Sequence, residues 1–225
     1  MKLRNAPVAL AFASLLLATA SCTNEGYDTG DGKYSYLTAD FALLHTNGSK
    51  AVVAASLDDG TELSIANPFT VDFAAKADTV YRALLYYDKT DGTSAASSVK
   101  ARNVAQVPVL SVVPIADVKQ MHTDPLGIES VWTAKNGKYI NMSLLLKSGS
   151  ADGDNRQTIG VVLESSTVGS DGKRHAVLRL YHDQGSVPEY YTVQQYVSVD
   201  AAQVDADIVE IHANTYDGEV VKTVE

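Results

Sequence analysis

From Tyr36 to Ala66 the chain reads YLTADFALLHT, NGSK, AVVAASL, DDGT, ELSIA, which is three runs of alternating side chains separated by two tight turns. A period of two is that of a β-strand with one buried face. Asp-Gly and Asn-Gly pairs supply backbone positions with positive φ, which two-residue hairpins need. The same signal returns at Asp91-Gly92, Asn136-Gly137, Asp171-Gly172 and Asp217-Gly218, beside runs such as VYRALLYYD and VLRLYHD. Type I′ turns are expected, with Gly60, Gly172 and Gly218 at positive φ. No window holds a 3.6-residue period, so an all-β chain follows.

Alternation stops in IADVKQMHTDPLGIES, Ile115 to Ser130, which Pro114 and Pro125 punctuate. About five strands precede this connection and six or seven follow it. Five short strands fit a small OB-like β-barrel, expected over residues 34–116. Seven with tight hairpins fit a β-sandwich, expected over residues 117–225. Each module is long enough to bury its own core.

The N-terminus has the order of an export signal. Lys2 and Arg4 precede an apolar run, Val8 to Ala18, followed by Thr19, Ala20, Ser21 and Cys22. A run this short fits a signal peptide and not a membrane-spanning helix. A Cys directly behind small residues is the arrangement of a bacterial lipoprotein. Residues 1–21 therefore read as signal peptide, and residues 22–33 as a lipidated Cys22 with a Gly/Asp-rich tether. Several acyl chains on Cys22 anchor a chain firmly. The alternative is an ordinary signal peptide before a free thiol. The expected location is the bacterial cell envelope, at the outer membrane, with the periplasmic or surface face left open. Cys22 is the only cysteine, so no disulfide framework or thiolate metal site is available.

Removing the signal, with its two basic residues, leaves 16 basic and 27 acidic side chains. That balance argues against a phosphate-rich partner, nucleic acid included. No catalytic constellation is legible. His45, His122, His175, His182 and His212 show no ligand spacing, and His175 and His182 fall on opposite faces of one expected strand. Ser97-Ser-Val-Lys100 matches S-x-x-K by letters alone. Asp152-Gly-Asp154 opens like an EF-hand loop but lacks the closing Glu. No metal or cofactor is expected, nor an enzyme. The candidate contact groups are aromatic: Trp132, Tyr190 and Tyr191, which would stack on a sugar or a protein if they face outward. The competing reading is ordinary strand propensity and cross-strand packing.

SLDDGTELSI, LGIESVWTAKNGKYINMSLLLKSG, LRLYHDQGSVPEYYTVQQYVSVD and the closing NTYDGE occur here in that order behind the lipobox. In this the chain resembles the NigD-like family of Bacteroidetes lipoproteins. The resemblance implies an OB-type N-terminal barrel, a C-terminal β-sandwich and a bacteriocin-associated immunity or accessory role. It supplies no active site. The expected function is thus that of a non-enzymatic envelope lipoprotein binding a protein partner, the alternative being a carbohydrate-binding accessory lipoprotein.

Overall fold

A computed structural model describes residues 37–88, 97–149 and 156–225. Cys22, the tether, the Asp91-Gly92 turn and Asp152 lie outside them. Among the described residues there are fourteen strands, two single-turn 3₁₀ segments and no α-helix.

Five strands close a barrel: β1 (Leu37–Thr46), β2 (Val52–Leu57), β3 (Glu62–Phe69), β4 (Val80–Asp88) and β5 (Ser97–Gln106). Their order around it is β1-β2-β3-β5-β4, closed by β4 pairing with β1. Only the β3–β5 pair is parallel. Alternate residues point inward, so Ala42 and Leu44 on β1 meet Leu63 and Ile65 on β3, Leu85 and Tyr87 on β4, and Val99 on β5. Small Ala42, Ala55, Ala83 and Ala101 share this narrow interior with the larger side chains.

The sandwich packs two sheets. One holds β14 (Gly218–Val224), β13 (Ile208–Thr215), β11 (Arg174–Asp183), β10 (Thr158–Val168) and β7 (Val112–Pro114), in that order. The other holds β6 (Val109–Leu110), β12 (Tyr191–Asp200), β9 (Tyr139–Ser148) and β8 (Gly127–Thr133). Met142, Leu144, Leu178, Val199 and Ile211 are sealed between them.

The boundary falls earlier than residue 116. Pro108 has no N–H to donate, and barrel pairing ends at Gln106. The next strands belong to the sandwich: β6 runs parallel to β12 and β7 parallel to β10, so this short segment passes from one sheet to the other. Alternation in VPVLSVVPI marks it as extended but carries no information about which sheet it joins. Barrel and sandwich lie in one compact unit, residues 36–225.

The Asp-Gly turns are also built differently from the expected type I′. The Gly60 N–H donates to the Leu57 carbonyl at 3.0 Å, and the Leu57 N–H to the Thr61 carbonyl at 2.8 Å. Gly60 has φ of 88°, while Asp59 does not take positive φ. This is a type I turn closed by a glycine bulge, in which only the glycine is left-handed. Asp59 serves by its side chain, which accepts the Thr61 N–H at 2.9 Å. Gly169–Lys173 repeats the pattern, with Gly172 at 78° and Asp171 accepting from Lys173. Gly218 also takes positive φ.

Candidate functional site

Two groups of chemically distinctive side chains stand out. The first joins the modules. Arg82 on β4 is buried, and its guanidinium makes two hydrogen bonds to Asp58 in the β2–β3 turn, at 2.5 and 2.6 Å. It also donates to Asn141 Oδ1 at 3.0 Å and reaches Ser198 Oγ, both on the sandwich face turned to the barrel. Asn141 Nδ2 donates back to Asp58, and Ser198 Oγ donates to Asn141 Oδ1. The Arg82 charge lies 4.2 Å from the Tyr139 ring centre and 5.3 Å from that of Phe41. Phe41, Trp132 and Tyr196 complete the seam, each ring edge-on to the other two at 5.3 to 6.4 Å. Arg82, Asp58, Asn141 and Ser198 are thus all partnered within the seam, as a buried charge requires. Its chemistry is that of a joint.

The seam accounts for Trp132. It is half-buried, packed across the modules, and its remaining exposed edge lines a cleft of about 190 Å³ with Asp40, Asp59 and Lys135.

The second group occupies one end of the sandwich, where β9 and β11 finish, β12 begins and the β13–β14 hairpin turns. Tyr190 and Tyr191 stand open there, 79% and 52% exposed, and Tyr216 from the hairpin is 49% exposed. The Tyr216 hydroxyl donates to Glu189 at 3.1 Å, while Lys147 lies over its ring and donates to Thr192. Desolvation, the Glu189 hydrogen bond and the negative charge of Glu189 and Asp124 push the Tyr216 phenol up to about 12. It is therefore a neutral donor at any physiological pH. Beside these rings β12 has a bare edge. It pairs with β9 along its whole length, but β6 covers its other side only at Ser198 and Val199. Among the described strands nothing pairs with that side from Tyr191 to Val197, and Val193 there is also exposed. A strand edge that no described strand covers, beside open aromatic rings, can accept an extended segment or a loop of another protein.

The same end gathers His122, Asp124 and Asp183, which spacing alone does not connect. A parallel bridge between Thr123 and His182 places residues 122–124 beside the end of β11. His182 itself points inward, buried, with Nδ1 3.0 Å from the Asp124 carbonyl and Nε2 3.0 Å from Gln157 Oε1. His175 meets Asp171 at the far end of β11, His45 meets Ser56, and His212 lies near Glu210 and Glu219. Ser97 and Lys100 both fall on barrel strand β5, between β3 and β4, and not in a loop.

No protein-family model matches the sequence, and no curated protein is significantly similar to it. Solved structures share the fold. A NigD-like immunity protein of Bacteroides caccae superposes with a TM-score of 0.62 at 20% identity, over 82% of this chain and 91% of that one. A protein of unknown function, DUF1344, from Bacteroides vulgatus gives 0.63 at 17% identity, over 83% and 89%. A provisionally named lipoprotein of Bacteroides fragilis gives 0.59 at 12% identity, over 84% and 97%. The likeness to NigD-like proteins seen in sequence thus holds at the level of the fold, through both modules.

Proposed function

We propose that this chain is a lipid-anchored protein of the bacterial envelope that acts by binding another protein, and that the Tyr190 end of the sandwich makes the contact. The observation that carries the reading is the grouping of Tyr190, Tyr191 and Tyr216 in the open beside the bare edge of β12. Among the other described aromatics, Phe41, Trp132 and Tyr196 are packed in the seam and Tyr87 in the barrel core. Tyrosine is a favoured contact residue because it offers area and a hydroxyl at little entropic cost. An immunity role against an envelope toxin is the specific form of this proposal, supported by the fold shared with an immunity protein. The anchor is supported by the signal-like residues ending in Cys22 and by the lipoprotein of the same fold.

The test is genetic. A strain lacking the gene should lose tolerance to a toxin produced by related bacteria, and the wild-type gene should restore it. A Tyr190→Ser/Tyr191→Ser version, present at wild-type abundance, should not. Full restoration by the double variant would rule out this surface. Unchanged tolerance of the deletion strain across the toxins would remove the immunity role.

A further inference from the structure

We propose that His122, Asp124 and Asp183 form a binding site for a zinc-like divalent cation at the end of the sandwich. One nitrogen or oxygen from each lies within 4.8 Å of the others. His122 Nδ1 and Asp183 Oδ2 are 3.8 Å apart, too far for a hydrogen bond. Donors bound to one zinc ion at about 2.0–2.1 Å stand about 3.4 Å apart in a tetrahedral set. Half-exposed side chains close that difference by turning slightly.

The group is held from outside. Asp124 Oδ2 accepts the Gln184 N–H at 2.8 Å, and Asp183 Oδ1 accepts the Gly185 N–H at 2.9 Å. Each carboxylate is thereby fixed through one oxygen, with the other left for a ligand, as supporting hydrogen bonds do at metal centres. The backbone beneath is tied by His182 N–H to the His122 carbonyl and Asp124 N–H to the His182 carbonyl, both at 3.0 Å. The His122 ring leans edge-on against Tyr181.

The two carboxylates also differ from the acids that arginines neutralise. Asp58, Asp88, Glu164, Asp205 and Glu219 are each paired with an arginine. Among the described residues neither Asp124 nor Asp183 is ion-paired with a Lys or Arg. Gln184, 8% exposed and the residue whose N–H fixes Asp124, turns its side-chain amide to the Lys147 and Val187 carbonyls, and its Oε1 has no hydrogen-bond partner. One imidazole with two carboxylates suits zinc or a neighbouring transition ion, whereas calcium takes oxygen donors alone. Three protein donors leave a fourth position for water or a partner's side chain.

The experiment uses the full processed chain in detergent, stripped with chelator and titrated with zinc chloride by calorimetry. One site is expected, with affinity reduced at least about tenfold in both His122→Ala and Asp183→Asn. His175→Ala, at the far end of β11, should bind as the wild type does. Melting of the metal-free variants at the wild-type temperature separates lost ligands from lost folding. If His122→Ala is unstable, cobalt substitution of the wild-type chain decides, through the intense visible absorption of a low-symmetry site containing imidazole. The proposal is overturned by absence of zinc binding, by binding unchanged in His122→Ala, or by a cobalt spectrum of the hexa-aquo ion. It stands independently of the partner proposal, since tolerance to a toxin and zinc affinity are separate readouts.

Discussion

The Arg82 guanidinium and the Asp58 carboxylate face each other through two hydrogen bonds, at 2.5 and 2.6 Å, where the barrel meets the sandwich. The pair is shared: Asn141 of the sandwich donates to the same Asp58 carboxylate and accepts from the same guanidinium. Removing one member leaves the other desolvated and unpaired. Arg82→Leu is therefore expected to cost about 3–5 kcal/mol, read as a lower midpoint in urea denaturation. Arg82→Lys should recover only part of it, since an ammonium lacks the planar fork. A loss near zero for Arg82→Leu would mean that the seam is held by its aromatic rings alone.

Gly60 isolates a backbone effect. A Cβ placed there meets nothing within 4 Å, yet φ is 88°. Gly60→Val should cost on the order of 1 kcal/mol or more through strain alone, and Gly60→Asn much less, because Asn tolerates left-handed backbone. Equal losses for the two variants in thermal melting would show that space, not φ, decides at this turn.

The same turn shows what the sequence disclosed and what it withheld. Asp58 and Asp59 are adjacent acids before a glycine, and nothing local distinguishes them. Asp59 does the expected local work, accepting the Thr61 N–H two residues on. Asp58 reaches Arg82, 24 residues away, and Asn141, 83 away. Strand period and turn position depend on neighbours in the chain, so the barrel, the sandwich and the positive φ of Gly60, Gly172 and Gly218 were legible. Sites depend on which strands meet. Trp132 joins Phe41 across 91 residues, and His122 joins Asp183 only through the Thr123–His182 bridge. Sequence spacing holds no trace of either. The turn type was misjudged because Asp-Gly serves a type I′ turn and a glycine bulge equally well.

Acid should weaken the fold. Hydrogen bonds from Thr61 hold the Asp59 carboxyl below its usual value of 3.8, and those from Lys173 and His175 do the same for Asp171. Arg102 lowers Asp88, and Arg179 with His212 lowers Glu219 from 4.5. All four bind protons more weakly when folded. Their stabilising contribution is complete above the ordinary carboxylate range and is lost as pH falls through the lowered values. The melting temperature should therefore decline below about pH 4. In Asp171→Asn/Glu219→Gln that decline should be shallower. An identical pH profile in the double variant would show these two carboxylates to be irrelevant to it.

Cys22 is expected to be the lipidated first residue of the processed chain. The apolar run ending at Ala18 and the small residues Thr19, Ala20 and Ser21 lead directly to it. Cys22→Ala should leave the precursor uncut or release the chain from the membrane fraction. Mass spectrometry of the native protein should find a diacylglyceryl group on Cys22. An unmodified thiol on a chain that begins upstream of Cys22 would exclude the anchor.

The aromatic residues divide into two kinds with opposite expected signatures. Trp132 is edge-on to Phe41 at 5.3 Å and to Tyr196 at 6.4 Å, in a seam that also holds a charged pair. Trp132→Ala removes both ring contacts and opens the seam, at an expected cost of about 2–3 kcal/mol, less than for a fully buried Trp because an edge stays exposed. Tyr190 is 79% exposed, so Tyr190→Ala should change stability by less than about 0.5 kcal/mol. For a bound partner the order should reverse. Tyr190→Ala, and more so Tyr190→Ala/Tyr191→Ala, should speed dissociation while the melting temperature stays constant. Trp132→Ala should lower the melting temperature while leaving affinity unchanged wherever the chain is still folded. Affinity lost with Trp132→Ala in the folded state and retained in the tyrosine double variant would move the contact surface from the end of the sandwich to the cleft beside the seam.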